Sequence, residues 1–395
     1  MDVMPQPEVV TLGCRLNIAE SGAIRALIAG RDIVVINSCA VTNAAVKESR
    51  AAVRRARRAR PDAEIVVTGC AAEIDPQGFA AMAEVDRVVG NRTKTAPASW
   101  GVNHAAPPIS GHARALIEVQ NGCDHACTFC AIPFGRGESR SVPAGAVIDA
   151  IAQAVDAGHR EVVLTGVDVT SYGHDLPGIP TLGSLVERIL RLVPTLERLR
   201  LSSLDSCEID DRLFTLVTQE PRVMPHLHLS LQAGSDLILK RMKRRHLRGD
   251  AVALVARMKA IRPDIAIGAD LIAGFPTETA AAFDDTLALL DDCDIVHAHI
   301  FPYSPRAGTP AARMPQVAAP VIRARAARLR GAAAARRRAW LAAKVGTVQS
   351  VLIERGGTRG HAADFAEVRI VAAPGTVQRV RIVAATDTYL EGILA

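Results

Sequence analysis

Three cysteines spaced C-x3-C-x2-C, Cys123, Cys127 and Cys130, follow directly on a β-branched run, Leu116 to Gln120. That run is the first of six. Further strands are expected at Glu161 to Thr165, Arg198 to Leu201, His226 to Leu231, Ile265 to Leu271 and Ile295 to Phe301, with helical stretches between them. Consecutive strand–helix units joined by right-handed crossovers make a parallel sheet, and all the carboxyl ends of its strands share one edge. Periodicity leaves two closures open: a partial (β/α)6 barrel or an open doubly wound sheet.

The first ninety residues repeat the alternation on a smaller scale. Glu8 to Leu12, Asp32 to Asn37 and Glu64 to Thr68 read as strands. Ala19 to Ala29 and Lys47 to Arg60 read as helices, the second stopped by Pro61. Cys14 follows Thr-Leu-Gly, Cys39 follows Ile-Asn-Ser and Cys70 follows Val-Thr-Gly, so each comes just after a strand. In a small parallel α/β sheet three such thiols converge, although far apart in sequence. Any one of them could be a small buried hydrophobe, but three at equivalent strand ends point to a ligand set. Cys207 and Cys293 have no such companions and read as structural thiols.

Eight cysteines are too few to staple 395 residues by disulfides, so metal ligation is the leading reading. Three thiolates in one loop each bind one iron of a 4Fe-4S cube and leave the fourth iron open. An open iron chelates the amino and carboxylate groups of S-adenosylmethionine (SAM), and one electron then splits the sulfonium to a 5′-deoxyadenosyl radical. A zinc knuckle needs four ligands closed as a tetrahedron. The other nearby candidate, His125, lies between the first two cysteines, a poor position for it.

The Pro-, Ala-, Gly- and Ser-rich stretch Asn91 to Gly111 reads as a linker. Ala318 to Ala343 is alanine- and arginine-rich and reads as a connecting helix, apart from Gly331. Beyond it Val348 to Ile353, Phe365 to Val371, Val377 to Val383 and Tyr389 to Leu394 read as four strands of a small all-β module. The expected domains are therefore 1–92, a linker at 93–112, 113–317, a helix at 318–343, and 344–395. No basic segment with an apolar run opens Met1 to Val10 and no later stretch stays uncharged long enough for a bilayer, so a cytoplasmic protein without membrane contact is expected. Lysine and arginine exceed aspartate and glutamate by 47 to 41, a balance that suits a nucleic-acid partner. Arg54, Arg55, Arg57 and Arg58, and again Arg336, Arg337 and Arg338, are either phosphate contacts or ordinary solvated helix faces.

Gly-Cys14-Arg-Leu-Asn, Asn-Ser-Cys39-Ala-Val-Thr, Thr-Gly-Cys70 and Cys123-Asp-His-Ala-Cys127-Thr-Phe-Cys130-Ala-Ile-Pro-Phe-Gly-Arg-Gly together resemble the methylthiotransferase family of radical SAM enzymes. The resemblance continues through Leu164-Thr-Gly-Val-Asp, His228-Leu-Ser-Leu-Gln-Ala-Gly-Ser235, Gly274-Phe-Pro-Thr-Glu278 and Phe301-Pro-Tyr-Ser-Pro-Arg-Ala-Gly-Thr309, nearly the whole chain. It implies two 4Fe-4S clusters: a SAM-cleaving one on Cys123, Cys127 and Cys130, and an auxiliary one on Cys14, Cys39 and Cys70 that handles sulfur. It implies Phe129 near the adenine of SAM, backbone at Gly166 toward its amino acid moiety, and polar contacts from Ser202 and Gln232. The last module is similar to a TRAM domain, which binds RNA, through Gly360-His-Ala-Ala-Asp-Phe-Ala-Glu-Val-Arg369. The implied reaction uses one SAM as methyl donor and one as radical source, with a reductant such as flavodoxin or ferredoxin, on the tRNA anticodon stem-loop. Within the family the chain looks most like the branch acting on threonylcarbamoyladenosine. Neighbouring branches take isopentenyladenosine in tRNA or an aspartate of a ribosomal protein. A reading of another class is a non-catalytic iron–sulfur scaffold that binds RNA.

Overall fold

The structure, a computed structural model, describes residues 6–103 and 112–395. Strands β1 (Glu8–Thr11), β2 (Ile33–Ser38), β3 (Glu64–Gly69) and β4 (Arg87–Val88) pair in parallel in that order. Their Val and Ile residues are buried on both faces. Val35 and Val66 meet Ile24, Leu27 and Ile28 on one side, and Val34, Ile36, Ile65 and Val67 meet Ala52 and Val53 on the other, as a parallel sheet between helices requires.

Both covering helices start earlier than periodicity suggests. The first runs Arg15–Leu27, not Ala19 to Ala29, with Cys14 in extended backbone at its N-cap. Its first turns bury the polar Asn17, Glu20 and Ser21, which hides it from a hydrophobic pattern. The second runs Asn43–Ala59 rather than from Lys47. There Thr42 Oγ1 accepts the Ala45 N–H at 3.1 Å, satisfying a donor that a helix end otherwise orphans.

The linker expected at 93–112 is, over its described part, packed chain. Lys94 and Trp100 are 1% and 3% exposed. Trp100 enters the core beside Val9, Ile24 and Val89, and its Nε1–H donates to Lys94 O at 2.7 Å. One large aromatic outweighs the small residues around it. Residues 104–111 of that stretch lie outside the described residues, as do residues 1–5 of the N-terminal segment.

Next come β5 (Arg114–Glu118), the short antiparallel pair β6 (Gln120–Asn121) and β7 (Arg140–Ser141), then β8 (Glu161–Thr165), β9 (Arg198–Leu201), β10 (His226–Gln232), β11 (Ala266–Ala273) and β12 (Ile295–Pro302). β5-β8-β9 and β10-β11-β12 are parallel, and a parallel bridge from Leu204 to Leu229 joins the halves. Spatial order thus follows chain order, giving a partial barrel and not a doubly wound sheet, whose order would reverse. Ala115 and Ile117, Val162 and Leu164, Leu199 and Leu201, Leu227 and Leu229, and Ile267 and Ala269 pack outward under the helices. The alternate residues, among them Arg114, Glu161, Arg198, Arg200, His226, His228, Asp270, His297 and His299, fall on the inner face.

That inner face is held by charge. Glu161, fully buried, pairs with Arg114 at 2.5 Å, Arg198 at 2.8 Å and Arg200 at 2.6 Å. Burial alone would raise its carboxyl, but the three guanidinium charges bring it down from 4.5 to about 2. A depressed carboxylate stabilises the fold above its ordinary titration range and loses that contribution as pH falls through its folded value. Glu161→Gln is therefore expected to lower stability at pH 7 by roughly 3 kcal/mol. It should also flatten the fall of thermal stability between pH 4.5 and about 2. Melting curves across that window check both; a variant with the wild-type slope would assign the acid sensitivity elsewhere.

Helix Ala319–Ala342 leads from the barrel to β13 (Val348–Ile353), β14 (Arg359–Ala362), β15 (Glu367–Arg369), β16 (Val377–Ala385) and β17 (Leu390–Leu394), which close into a small barrel. It has five strands, not the expected four. The strand expected from Phe365 begins at Glu367, because Phe365 lies in a turn with φ +70°. Its ring reaches into the amino end of the larger barrel, stacking on His361 at 4.8 Å and lying 5.1 Å from His226. Arg200 donates to Ala362 O and Ala363 O beside it. Among the described residues no helix is long and apolar enough to cross a membrane.

Candidate functional site

Cys14 lies three residues past β1, Cys39 directly past β2 and Cys70 directly past β3, so parallel pairing sets all three on one edge. Two glycines make this possible. Gly13 has φ +96° and a Cβ there would stand 2.7 Å from Cys39 Sγ; Gly69 has φ +91° and a Cβ there would stand 2.4 Å from Ser38 O. Asn17 Nδ2 donates to Leu12 O at 2.6 Å and Ser38 O at 3.2 Å. Ser38 Oγ donates to Thr68 O at 2.5 Å and accepts from Ala72 N–H at 3.1 Å. The three strand ends are thereby sewn together. Burial pushes the Cys39 thiol up, and charge on Cys70 and Cys14 pushes it further.

The second triad lies on the loop after β6. Cys123 N–H donates to Gly137 O and Cys130 N–H to Cys127 O, each at 3.1 Å. Thr128 anchors the loop to the barrel through Met242 O at 3.1 Å and Arg241 O at 2.8 Å. Burial, then the Asp168 charge, pushes Cys123 up to about 12; burial, then charge on Cys127, pushes Cys130 up to about 11. Arg244 Nη1 donates to Cys127 Sγ at 3.7 Å while its Nη2 pairs with Asp205 at 2.8 Å. All eight cysteines are free thiols. Cys39 and Cys70 are buried, the second triad is half-buried and Cys14 is exposed; thiols near enough to raise one another ionise when a metal cation takes up their charge, so both donor sets fit iron. Cys293 is buried in the barrel core, whereas Cys207 sits beside Asp205, which Arg244 links to Cys127.

His125 Nε2 lies 2.8 Å from Asp168 Oδ2, with Arg245 Nη2 2.9 Å from the same nitrogen. Its nitrogen, Cys123 Sγ and an Asp168 oxygen lie within 4.8 Å of one another. The hydrogen bond to Asp168 raises the imidazole's pKa, which favours an ion pair over a neutral metal ligand.

A buried network joins the two triads. Arg136, six residues past Cys130, donates to Glu20 Oε1 at 2.7 Å, Glu20 Oε2 at 2.9 Å and Asn17 Oδ1 at 2.5 Å. Lys94 Nζ reaches Glu20 Oε2 at 2.6 Å and Asn37 Oδ1 at 3.1 Å. Burial would raise the Glu20 carboxyl, but the charges of Lys94 and Arg136 hold it below its usual range. Asn91 Nδ2 donates to Gly135 O at 2.5 Å and to Cys70 Sγ at 3.7 Å, and a Cβ on Gly135 would stand 3.0 Å from Cys70 Cβ. The loop carrying one triad thus rests on the strand end carrying the other. Arg136 and Asp168 lie inside the motifs quoted above without a role being read for them, and nothing in the residue spacing announces Glu20, Lys94, Asn91 or Arg244.

Gly166, Ser202 and Gln232 stand at or just past the carboxyl ends of β8, β9 and β10, on the edge that carries the second triad. Ser202 is 7% exposed and its Oγ has no hydrogen-bond partner among the described residues. Such an orphaned hydroxyl is what a ligand's polar atom satisfies. A Cβ at Gly166 would lie 2.6 Å from Gln120 O, so packing alone demands glycine there. Gln232 adopts φ +67° at a register shift in β10. Phe129 is half-buried, edge-on to Phe275 at 6.4 Å.

A profile of the radical SAM superfamily matches residues 117–290, and one of an uncharacterized protein family, UPF0004, matches residues 7–90. Threonylcarbamoyladenosine tRNA methylthiotransferase MtaB of Rickettsia prowazekii is 43% identical, over 98% of this chain and 97% of that protein. The chain belongs to the radical SAM methylthiotransferase family. Methylthiotransferases of this kind use SAM and a 4Fe-4S cluster, and act as transferases. tRNA-2-methylthio-N(6)-dimethylallyladenosine synthase of Cereibacter sphaeroides is 33% identical, over 97% of both chains. In fold, the methylthiotransferase chain is similar to the radical SAM methyltransferase TsrM of Kitasatospora setae, with a TM-score of 0.52, 16% identity, and coverage of 71% of this chain and 64% of that one.

The basic segments prove mostly committed. Arg57 pairs with Asp86 at 2.5 Å, and Arg50 with Asp75 at 2.6 Å. Arg336 pairs with Asp291 and Asp294, Arg337 with His297, and Arg338 with Asp387. Arg54 and Arg58 stay exposed on helix Asn43–Ala59.

Proposed function

We propose that this methylthiotransferase replaces a C–H of threonylcarbamoyladenosine, beside the anticodon of tRNA, by C–S–CH3. The observation that carries the reading is the pair of thiol triads on adjoining strand ends, tied through Arg136 and Glu20. In this reading Cys123, Cys127 and Cys130 hold a 4Fe-4S cluster with one iron open to SAM, and Cys14, Cys39 and Cys70 hold a second. When bound, the first cluster supplies the electron that cleaves SAM and so the radical that no side chain provides at ordinary potentials. The chain's own part is to bind, orient and exclude water. Ser202, Gln232 and the Gly166 backbone hold the polar end of SAM, with Phe129 toward its adenine. Arg244 offsets charge on Cys127, and the Arg136–Glu20–Lys94 network fixes one triad against the other.

The five-stranded module, read as TRAM-like, receives the anticodon stem-loop together with the exposed Arg54 and Arg58. A cytoplasmic reductant such as flavodoxin or ferredoxin completes the system. Support for the substrate comes from the coverage of the Rickettsia prowazekii relative, which exceeds in identity that of the dimethylallyladenosine enzyme, 43% against 33%. The test is mass spectrometry of tRNA nucleosides from cells with and without this gene. The methylthio derivative of threonylcarbamoyladenosine is expected to disappear while its unthiolated precursor accumulates. Loss of methylthio-isopentenyladenosine instead would move the chain to the neighbouring branch, and no change in tRNA would sink the reading.

A further inference from the structure

Four arginines converge on the amino half of the barrel lumen. Arg15, Arg114 and Arg200 stand over the Phe365 ring at 5.4, 5.4 and 5.1 Å, and Arg198 joins Arg114 and Arg200 on Glu161. The carboxylates there are already taken. Glu161 holds three guanidinium groups, Glu354 holds Arg114 at 2.7 Å and His361 at 2.9 Å, and Asp270 holds His228 at 2.9 Å and His299 at 3.2 Å. Arg15 has no hydrogen bond or ion pair among the described residues, only the ring beneath it. It is half-buried, and the guanidinium groups of Arg114 and Arg200 crowd the same ring. A cation so placed is stabilised by an anion from outside the chain.

Its position says which anion. Arg15 follows Cys14, and so projects from the edge where the reacting base must lie into the lumen. The barrel is open between β5 and β12, which do not pair, and His299 on β12 has a side chain 61% exposed, so the lumen is reached from that side. An RNA backbone phosphate would have to carry its strand inside; a substituent on the base needs only its own length. Threonylcarbamoyladenosine bears one free carboxylate on such a substituent, and a guanidinium matches a carboxylate in two parallel hydrogen bonds.

We infer that Arg15, seated on Phe365, is a carboxylate-binding subsite that selects a base modified with an acidic side chain. This rests on the proposed substrate and adds the residue that reads it. The test compares binding of two anticodon stem-loop oligonucleotides to the reconstituted enzyme: one with threonylcarbamoyladenosine, one with its carboxyl converted to carboxamide. Wild type is expected to bind the acid about 10- to 100-fold more tightly, the range of a charged hydrogen-bonded pair. Arg15→Gln should lose that preference by weakening the acid oligonucleotide alone, and Arg15→Lys should keep part of it. Iron content and RNA-independent 5′-deoxyadenosine formation should stay at wild-type levels in both. Wild type that binds acid and carboxamide alike overturns the inference. So does an Arg15→Gln variant that weakens both equally, which would mark a phosphate contact. Thiolation by wild type is scored separately: an acid preference without thiolation supports the subsite and sinks the substrate reading.

Discussion

Cys127→Ala is expected to reduce SAM cleavage to background, whereas Cys39→Ala leaves 5′-deoxyadenosine formation intact and stops sulfur transfer. The asymmetry follows from the two donor sets. Cys127 shares its loop with Cys123 and Cys130, and on the proposed function removing one of three thiolates destroys the iron site that leaves a corner for SAM. Cys39 lies on the other unit, at the end of β2, where a Cβ on Gly13 would already touch its sulfur. Loss of that thiol leaves the barrel loop as it was. The measurement is paired: 5′-deoxyadenosine and methylthiolated nucleoside quantified in the same anaerobic reaction. A Cys39→Ala enzyme that still thiolates RNA would remove the N-terminal triad from the mechanism.

The second large effect concerns the joint between the units. Glu20→Ala strands two buried cations at once, Arg136 and Lys94, each of which has its charged partner within 2.7 Å. Breaking one buried pair costs about 3–5 kcal/mol because the surviving charge stays desolvated. With two stranded, a loss of about 5 kcal/mol is expected, read as a drop in the denaturant midpoint. Lys94→Met together with Glu20→Gln should recover part of it, since removing both charges leaves less uncompensated. Iron stoichiometry in Glu20→Ala is expected to fall before SAM cleavage does, because the joint supports the triad of Cys14, Cys39 and Cys70 more than the barrel loop. A Glu20→Ala chain as stable as wild type would show that the joint is held by other contacts.

The strands were legible because a short aliphatic run between turn signals marks a strand buried on both faces without knowledge of its neighbours. β2, β3, β8 and β9 lie within a residue or two of their expected positions. Less legible was whatever turned on a polar residue placed inside. Helix Arg15–Leu27 hides behind Asn17 and Glu20, which face Lys94 and Arg136, distant in the chain. The supposed linker hides Trp100 and Lys94. Phe365, read as the start of a strand, turns out at φ +70° because its ring is claimed by histidines of another domain. Each miss is a contact between distant segments overriding a local pattern.

The residue following each strand of the N-terminal sheet was enough, by itself, to bring Cys14, Cys39 and Cys70 to one edge, because parallel pairing puts every carboxyl end on the same edge whatever lies between. Only the tertiary structure decided that the two edges adjoin through Arg136, Glu20 and Lys94, and that the lumen gathers four arginines with one left over. Charge pairing depends on distances between atoms of different segments, and those distances exist only after the chain has folded.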